Sequence, residues 1–265
     1  MKLSCLGSGK MGTALLSGIV TRGVCHAADI TISDPAGAAL KAAAAAVPGV
    51  VAAASNLEAA RGADVVLLCV KPAGIVPLIE SLRALPSTLL ISIAAGVTLD
   101  SMEAAAGHHR VIRVMPNTPA LVGKGAAAYA PGRSATEADC HTAETILGAV
   151  GTVTRVAEKL LDAVTGLSGS GPAYVYTIIE ALADGGLLEG LSKDQALVLA
   201  AQTVAGAAEM VLQTGLHPAI LRDQVTSPGG TTIAGLAKLE ERGLRSALME
   251  AVRTASARAR ELGKS

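Results

Sequence analysis

Over the first 155 residues, short apolar runs alternate with Ala-rich stretches of helical periodicity. Lys2–Leu6 predicts a strand, followed by a glycine turn and a helix through about Thr21. Ile30–Ser33 predicts a second strand, Asp34–Pro35 a turn, and Gly37–Ala46 a helix. A short strand is expected near Val50–Val51. Asp64–Val70 reads DVVLLCV, an apolar run bounded by turn residues, as a central strand buried on both faces requires. Thr88–Ser92 and Val111–Met115 repeat that pattern, and Ala126–Ala130 and Thr152–Val156 predict later strands around a helix near Thr136–Ala149. Strands alternating with helices predict an α/β fold with a doubly wound parallel sheet.

After about Arg155 no further strand is expected. Long helical patterns follow over Pro172–Leu188, Lys193–Gln213, Thr231–Arg242 and Gly243–Leu262, with Ser192 placed as the N-cap of the second. Two domains are therefore expected: residues 1–157 around the sheet and an all-helical domain over residues 158–265. No Pro/Gly/Ser-rich linker separates them, so the boundary is read as a helix near Glu158–Gly166.

Composition narrows the function classes. The 265 residues include no Phe, no Trp and three Tyr, at 129, 174 and 176. Base-stacking platforms, aromatic sugar clefts and membrane-interface belts all need more aromatic surface. The formal net charge is zero, which gives no electrostatic footprint for nucleic acid or anionic lipid. Cys5, Cys25, Cys69 and Cys140 show no CxxC spacing, and the His108–His109 pair has no nearby Cys, so no metal site is expected. The N-terminal apolar stretch breaks at Gly7, too early for a signal segment, and no apolar run of membrane-spanning length is read from the sequence. A cytoplasmic location is expected. Ala accounts for 52 residues, which suits closely packed helices and also fits a GC-rich coding bias.

Candidate chemistry starts at Gly7-Ser8-Gly9-Lys10-Met11-Gly12, a GxGxxG motif directly after the first strand and at the opening of a helix. The first Gly permits the tight turn, the second lets backbone approach a pyrophosphate, and the third allows close helix–strand packing. The helix N-terminus offers N–H groups and partial positive charge to the phosphates. Asp34 lies 22 residues past Gly12, at the end of the second strand, where a ribose-binding carboxylate is expected. A carboxylate there favours a free 2′-hydroxyl over a 2′-phosphate; its alternative role is to open an Asp-Pro turn. Two further glycine-rich segments, Thr165–Tyr174 and Asp223–Ile233, each run into a helix, the first with Pro172 placed as at N1. Together they suggest a pocket of backbone N–H donors suited to a small carboxylate.

GSGKMG, Val70-Lys71-Pro72, Ser92-Ile93-Ala94-Ala95-Gly96, Arg113 to Pro119 (RVMPNTP), Thr165 to Tyr174, Ala183-Asp184-Gly185-Gly186 and Val225 to Thr232 span nearly the whole chain. In these segments the chain resembles the pyrroline-5-carboxylate reductase family. The resemblance implies an N-terminal Rossmann-like domain and a C-terminal helical domain that dimerises through interleaved helices, with dimers sometimes assembling into decamers. It implies NAD(P)H-dependent reduction of 1-pyrroline-5-carboxylate to L-proline, the last step of proline biosynthesis, with NADPH or NADH as cofactor. It places the pyrophosphate on Gly7 to Gly12, the adenosine side near Asn56, the cofactor cleft along Val70, Lys71 and Pro72, and the nicotinamide near Ala95 and Asn117. Glu158 falls at a substrate-side carboxylate. Ser227, Gly229, Gly230, Thr231 and Thr232 form the substrate-carboxylate loop, with the Thr232 hydroxyl reaching the ring nitrogen as the catalytic contact. The chain departs from the family at Asp34-Pro35, where Ser or Asn followed by Arg is common, and at Thr231, where Ala is frequent. A β-hydroxyacid dehydrogenase shares the two-domain plan but needs a Lys in the interdomain helix, and Gly166–Ala183 has none. A non-catalytic nucleotide-binding protein is the alternative from another class.

Overall fold

The structure is a computed structural model that describes residues 1–263. Its eight strands are β1 (Leu3–Leu6), β2 (Ile30–Ser33), β3 (Val51–Ala52), β4 (Val65–Leu68), β5 (Leu89–Ser92), β6 (Arg110–Met115), β7 (Gly125–Pro131) and β8 (Gly151–Arg155). They form one sheet in the order β3-β2-β1-β4-β5-β6-β7-β8. Every expected strand is present. The all-parallel expectation holds only for β1 to β6: β7 runs antiparallel to β6, and β8 parallel to β7. The physical reason is connection length. Residues 116–124 join β6 to β7 and carry only a 3-10 turn, Thr118–Val122. A parallel crossover needs a dozen or more residues, so the chain reverses.

The helices of this region are α1 (Lys10–Thr21), α2 (Gly37–Ala46), α3 (Asn56–Ala60), α4 (Ile75–Leu82), α5 (Leu99–Ala106), α6 (Glu137–Gly148) and α7 (Leu161–Val164). Alternation along the strands divides the core in two. Leu3, Cys5, Ile30, Ile32, Val65, Leu67 and Ile91 pack with Leu15, Leu16 and Ile19 of α1 and Ile146 of α6. Leu6, Val66, Leu68 and Leu90 face the other way, onto Ile75, Ile79 and Leu82 of α4 and Met102 of α5. Each fully buried Leu or Ile contributes roughly 1.5–3 kcal/mol relative to exposure. Tyr129 is the one aromatic residue in this core, and its hydroxyl donates to Glu144 Oε1 at 2.7 Å. Burial and that hydrogen bond push its pKa well up, so the phenol stays neutral.

The chain divides into two compact units. One comprises Met1–Ser170 and the stretch from Arg253 onward; the other is Gly171–Val252. The second holds α8 (Gly171–Leu188), α9 (Lys193–Thr214), α10 (Pro218–Gln224), α11 (Thr231–Glu241) and the first half of α12 (Leu244–Leu262). A reciprocal capping box starts α9: Ser192 Oγ accepts from the Gln195 N–H at 3.4 Å, and Gln195 Oε1 accepts from the Ser192 N–H at 3.1 Å. α9 corrects one expectation, because its 22 residues are long and apolar enough to cross a membrane by length and composition. The sequence hides this because Gln202, Thr203 and Glu209 interrupt every apolar run while the average stays high. Leu197, Val198, Leu199 and Leu212 on this helix are all exposed.

His109 marks where the sheet unit responds to acid. Its Nδ1 accepts from the Thr88 N–H at 3.2 Å, and its Nε2 pairs with the Leu82 carbonyl at 3.0 Å. The ring is therefore neutral and protonated on Nε2. Burial lowers its pKa below the ordinary 6.5, with His108 and Arg110 adding to the effect. The unfolded chain then binds this proton more readily than the native one, so the stability due to His109 is complete above about pH 6.5 and declines as pH falls through the lowered native value. Urea unfolding at pH 7.5 and 5.5 should show a larger acid loss for the wild type than for His109→Gln. Equal losses would assign the acid sensitivity elsewhere.

Candidate active site

Strand order reverses between β1 and β4, and a crevice opens there at the carboxyl ends of the parallel strands. The loops leaving β1 to β6 gather at this edge most of the residues singled out in the sequence: Gly7–Gly12, Asp34, Asn56, Val70–Pro72, Ala95 and Asn117.

The Gly7–Gly12 loop is built on close backbone approach. Gly7 has φ +96°, and a Cβ on it would lie 2.7 Å from the carbonyl carbon and oxygen of Cys69. A Cβ on Gly12 would drive into the Gly7 carbonyl oxygen and lie 3.3 Å from Cys69 Cβ. Gly9 differs: nothing lies within 4 Å of a Cβ placed there. The free space at Gly9 sits at the start of α1, whose N-cap has no side-chain hydrogen bond and whose first turn carries no acidic residue. These features form a positively polarised cradle of the kind a pyrophosphate fills. A groove of about 590 Å³ adjoins it, lined by Ser8, Gly9, Lys10 and Thr13 and by small alanines of α2. Met11 is half-buried and packs on the core beneath.

Asp34 is held firmly in place. Its Oδ2 accepts from the Ser8 N–H at 2.7 Å and the Ser8 hydroxyl at 3.2 Å, and its Oδ1 accepts from the Ala36 N–H at 2.8 Å. Both sequence roles are thus combined, since the carboxylate closes the Asp-Pro turn and faces the glycine loop. Behind the loop, Cys5 donates to the Gly7 carbonyl at 3.4 Å. Hydrogen bonding with Cys5, together with burial, pushes the pKa of the Cys69 thiol well up.

Lys71 and Pro72 are exposed at the end of β4, where Pro72 occupies the first position of a 3-10 turn, Pro72–Gly74, and the Gly74 N–H donates to the Lys71 carbonyl at 2.9 Å. Pro72 and Ala95 share a second cleft of about 590 Å³ with Val76, Thr98, Thr165 and Leu262. Asn117 is buried, and both ends of its amide are engaged: Nδ2 donates to the Ser168 carbonyl at 3.1 Å, and Oδ1 accepts from the Ala126 N–H at 2.8 Å. Glu158 likewise serves internal partners. Its Oε1 accepts from the Leu99 N–H at 2.6 Å and from Arg113 Nη1 at 2.9 Å.

Two local features escaped the sequence reading. Residues 165–169, expected as a glycine-rich loop of N–H donors, form a π-helical turn in which the Ser170 N–H donates to the Thr165 carbonyl at 2.8 Å. The Asn117 contact and the close fit of Gly169 against Met115 hold this turn. Arg113, quoted only as part of RVMPNTP, is a buried cation that joins Glu158 and, at 3.9 Å, Asp162. An arginine inside an apolar strand was the available signal, because a buried charge requires partners.

In the helical unit, Ser227, Gly229, Gly230, Thr231 and Thr232 form the turn that starts α11. The Gly230 N–H donates to the Ser227 carbonyl at 3.1 Å, Gly229 has φ +64°, and Gly230 is the N-cap without a side-chain hydrogen bond. The first-turn N–H groups of an 11-residue helix are thereby presented without a cap, beside the threonines at its first two positions. The helix α10 just before it was not predicted, although His217 as N-cap and Pro218 at the first position signalled it.

Comparisons with known proteins agree over the full length. Residues 158–262 match the family profile described as pyrroline-5-carboxylate reductase dimerisation, and residues 2–96 match one described as NADP oxidoreductase coenzyme F420-dependent. The chain is 47% identical to the pyrroline-5-carboxylate reductase of Methanosarcina acetivorans, covering 99% of this chain and 98% of that protein. It is 40% identical to the Escherichia coli enzyme, covering 100% and 99%. The solved structure of a pyrroline-5-carboxylate reductase from Coxiella burnetii superposes with a TM-score of 0.93 at 36% identity, covering 98% of both chains. The Plasmodium falciparum enzyme, solved with NADP bound, gives 0.87 at 32%, covering 99% and 98%.

The glycine loop separates folding from binding. Gly9→Ala should melt like the wild type yet lose dinucleotide affinity by about tenfold or more, because its methyl group stands where the phosphate approaches. Gly12→Ala should lose both stability and affinity. Thermal melts alongside fluorescence titration with NADH and NADPH check this, and unchanged binding by Gly9→Ala would remove the loop from the cofactor site.

Proposed function

The chain belongs to the pyrroline-5-carboxylate reductase family, and from that premise we propose how its residues divide the work of reducing 1-pyrroline-5-carboxylate to L-proline with NAD(P)H. The reading rests on one paired observation: two helix N-termini without side-chain caps, one within GSGKMG, directly after Gly9, and one after SPGG. The first suits a dinucleotide pyrophosphate, the second a small carboxylate. When bound, a reduced nicotinamide supplies the hydride for the C=N carbon.

The protein's own contribution is binding, orientation and exclusion of water. The N–H groups of Gly9 to Met11 at the start of α1 would hold the pyrophosphate, Lys10 would add positive charge, and Asn56 would lie on the adenosine side. Val70, Lys71 and Pro72 line the cleft, with Ala95 beside the nicotinamide. Asn117 acts as a positioning residue, since its amide already ties β7 to the π turn. Glu158 also acts at one remove, by fixing Arg113 and the start of α5.

Backbone N–H groups of Ser227 to Thr232 would take the substrate carboxylate. The Thr232 hydroxyl would accept from the ring N–H of the protonated imine, which is already electrophilic. A strong nucleophile is unnecessary, and catalysis then comes from placement. The functional boundary is placed at 157/158, with the second domain self-associating as a dimer; the family resemblance adds a decamer built of such dimers as the larger assembly. Exposed apolar side chains on α8 and α9, including Leu182, Leu188, Val198 and Leu199, support self-association. A cytoplasmic location is part of the same reading.

Thr232→Ala should lower kcat/KM for the imine roughly 10- to 100-fold, the loss of one hydrogen bond to a charged group, while the Kd for NAD(P)H stays within about twofold. Steady-state kinetics and cofactor titration on one preparation check this. An unchanged kcat/KM would take the hydroxyl out of the reaction.

A further inference from the structure

We infer that Asp34 makes this enzyme select NADH over NADPH, an inference that rests on the cofactor site proposed above and deepens it. The carboxyl ends of β2 and β3 form the edge where the adenosine ribose of a dinucleotide is read, and both carry negative charge. Asp34 stands directly after β2, held by three hydrogen bonds from Ser8 and Ala36. Such a carboxylate does not swing away to admit an anion. It keeps its charge fixed against the glycine loop and spends the Ser8 N–H, one of the loop's own anion-binding donors, on itself.

A second carboxylate stands at the neighbouring strand end. Glu58 Oε2 accepts from the Ala54 N–H at 3.0 Å, just beyond β3. The basic residues nearest them in sequence are Lys41, in α2, and Arg61, directly after α3. Residues 33–40 read SDPAGAAL and residues 51–60 read VAAASNLEAA, without Lys, Arg or His. Lys41 is exposed further along α2, and Lys10 sits at the start of α1 beside the pyrophosphate cradle. A ribose 2′-hydroxyl can donate to a fixed carboxylate. A 2′-phosphate in the same place would bring about two negative charges against Asp34, with Glu58 nearby and no Lys or Arg in the turn that follows β2 to receive it. The dinucleotide cradle is retained while its ribose end is tuned against the phosphorylated form.

The test measures binding as well as turnover. The Kd values of the purified protein for NADH and NADPH, and for adenosine 5′-monophosphate and adenosine 2′,5′-bisphosphate, are compared by isothermal titration calorimetry, together with kcat/KM for both reduced cofactors. The wild type should favour NADH, and the unphosphorylated fragment, by at least about tenfold, which corresponds to about 1.4 kcal/mol. Asp34→Asn keeps an acceptor for the Ser8 N–H and removes the charge, and should shrink the preference to within about threefold. Asp34→Ser should shift it the same way. Equal or tighter NADPH binding by the wild type would overturn the inference and leave the dinucleotide site standing. A preference unchanged in both folded variants would also overturn it. Binding of neither cofactor would overturn the inference and the dinucleotide site together. The wild-type comparison decides the matter even where a variant fails to fold.

Discussion

Backbone packed directly on backbone beneath the first loop is the constraint on which the rest depends. Gly7 and Gly12 leave no room for a side chain because the Gly7 carbonyl and the end of β4 already occupy that space. This contact presses the start of α1 against the sheet at the point where strand order reverses. The uncapped N–H groups of α1 then open onto the crevice beside Val70–Pro72. A single methyl group at either glycine would push α1 off β4 and move every donor the site relies on. The side chains of Cys5 and Cys69 lie directly behind the loop.

The helical unit follows a different logic. Ser192 and His217 cap α9 and α10, yet Leu188, Val198 and Leu212 are largely exposed, as one chain alone leaves them. Alanine-rich faces permit close helix approach, and the family profile over residues 158–262 is one of dimerisation. The apolar character that gives α9 the composition of a membrane span is explained by association between chains. The scarcity of aromatic residues is coherent with both units. A small imine held by backbone N–H groups and a hydroxyl needs no aromatic wall, and one tyrosine, Tyr129, suffices for the sheet's core.

The sheet was legible in the sequence because a strand buried on both faces is a run of apolar residues, and DVVLLCV or LLIS has no competing reading. The reversal at β7 was not legible. It depends on the length of a connection whose 3-10 turn carries no hydrophobic period. The π turn at 165–169 was misread because glycines signal loops, whereas it is held by Met115 at the end of β6 and Asn117 just beyond it, about 50 residues away in sequence. The glycine loop, Asp34 and the Ser227–Thr232 turn were readable because local geometry and chemistry coincide there. The roles of Asn117, Arg113 and Glu158 were not, because each is defined by the partner it meets only after folding.

The central claim is that this chain directs a hydride from a bound nicotinamide to the imine carbon of 1-pyrroline-5-carboxylate. It is tested most directly by incubating the purified protein with 1-pyrroline-5-carboxylate and reduced cofactor deuterated at nicotinamide C4 on either face, and analysing the product by NMR. The account predicts that cofactor oxidation depends on the imine and that L-proline carries one deuterium at the former C=N carbon from one of the two labelled cofactors. Cofactor oxidation without the imine, or proline without deuterium from either, would contradict it.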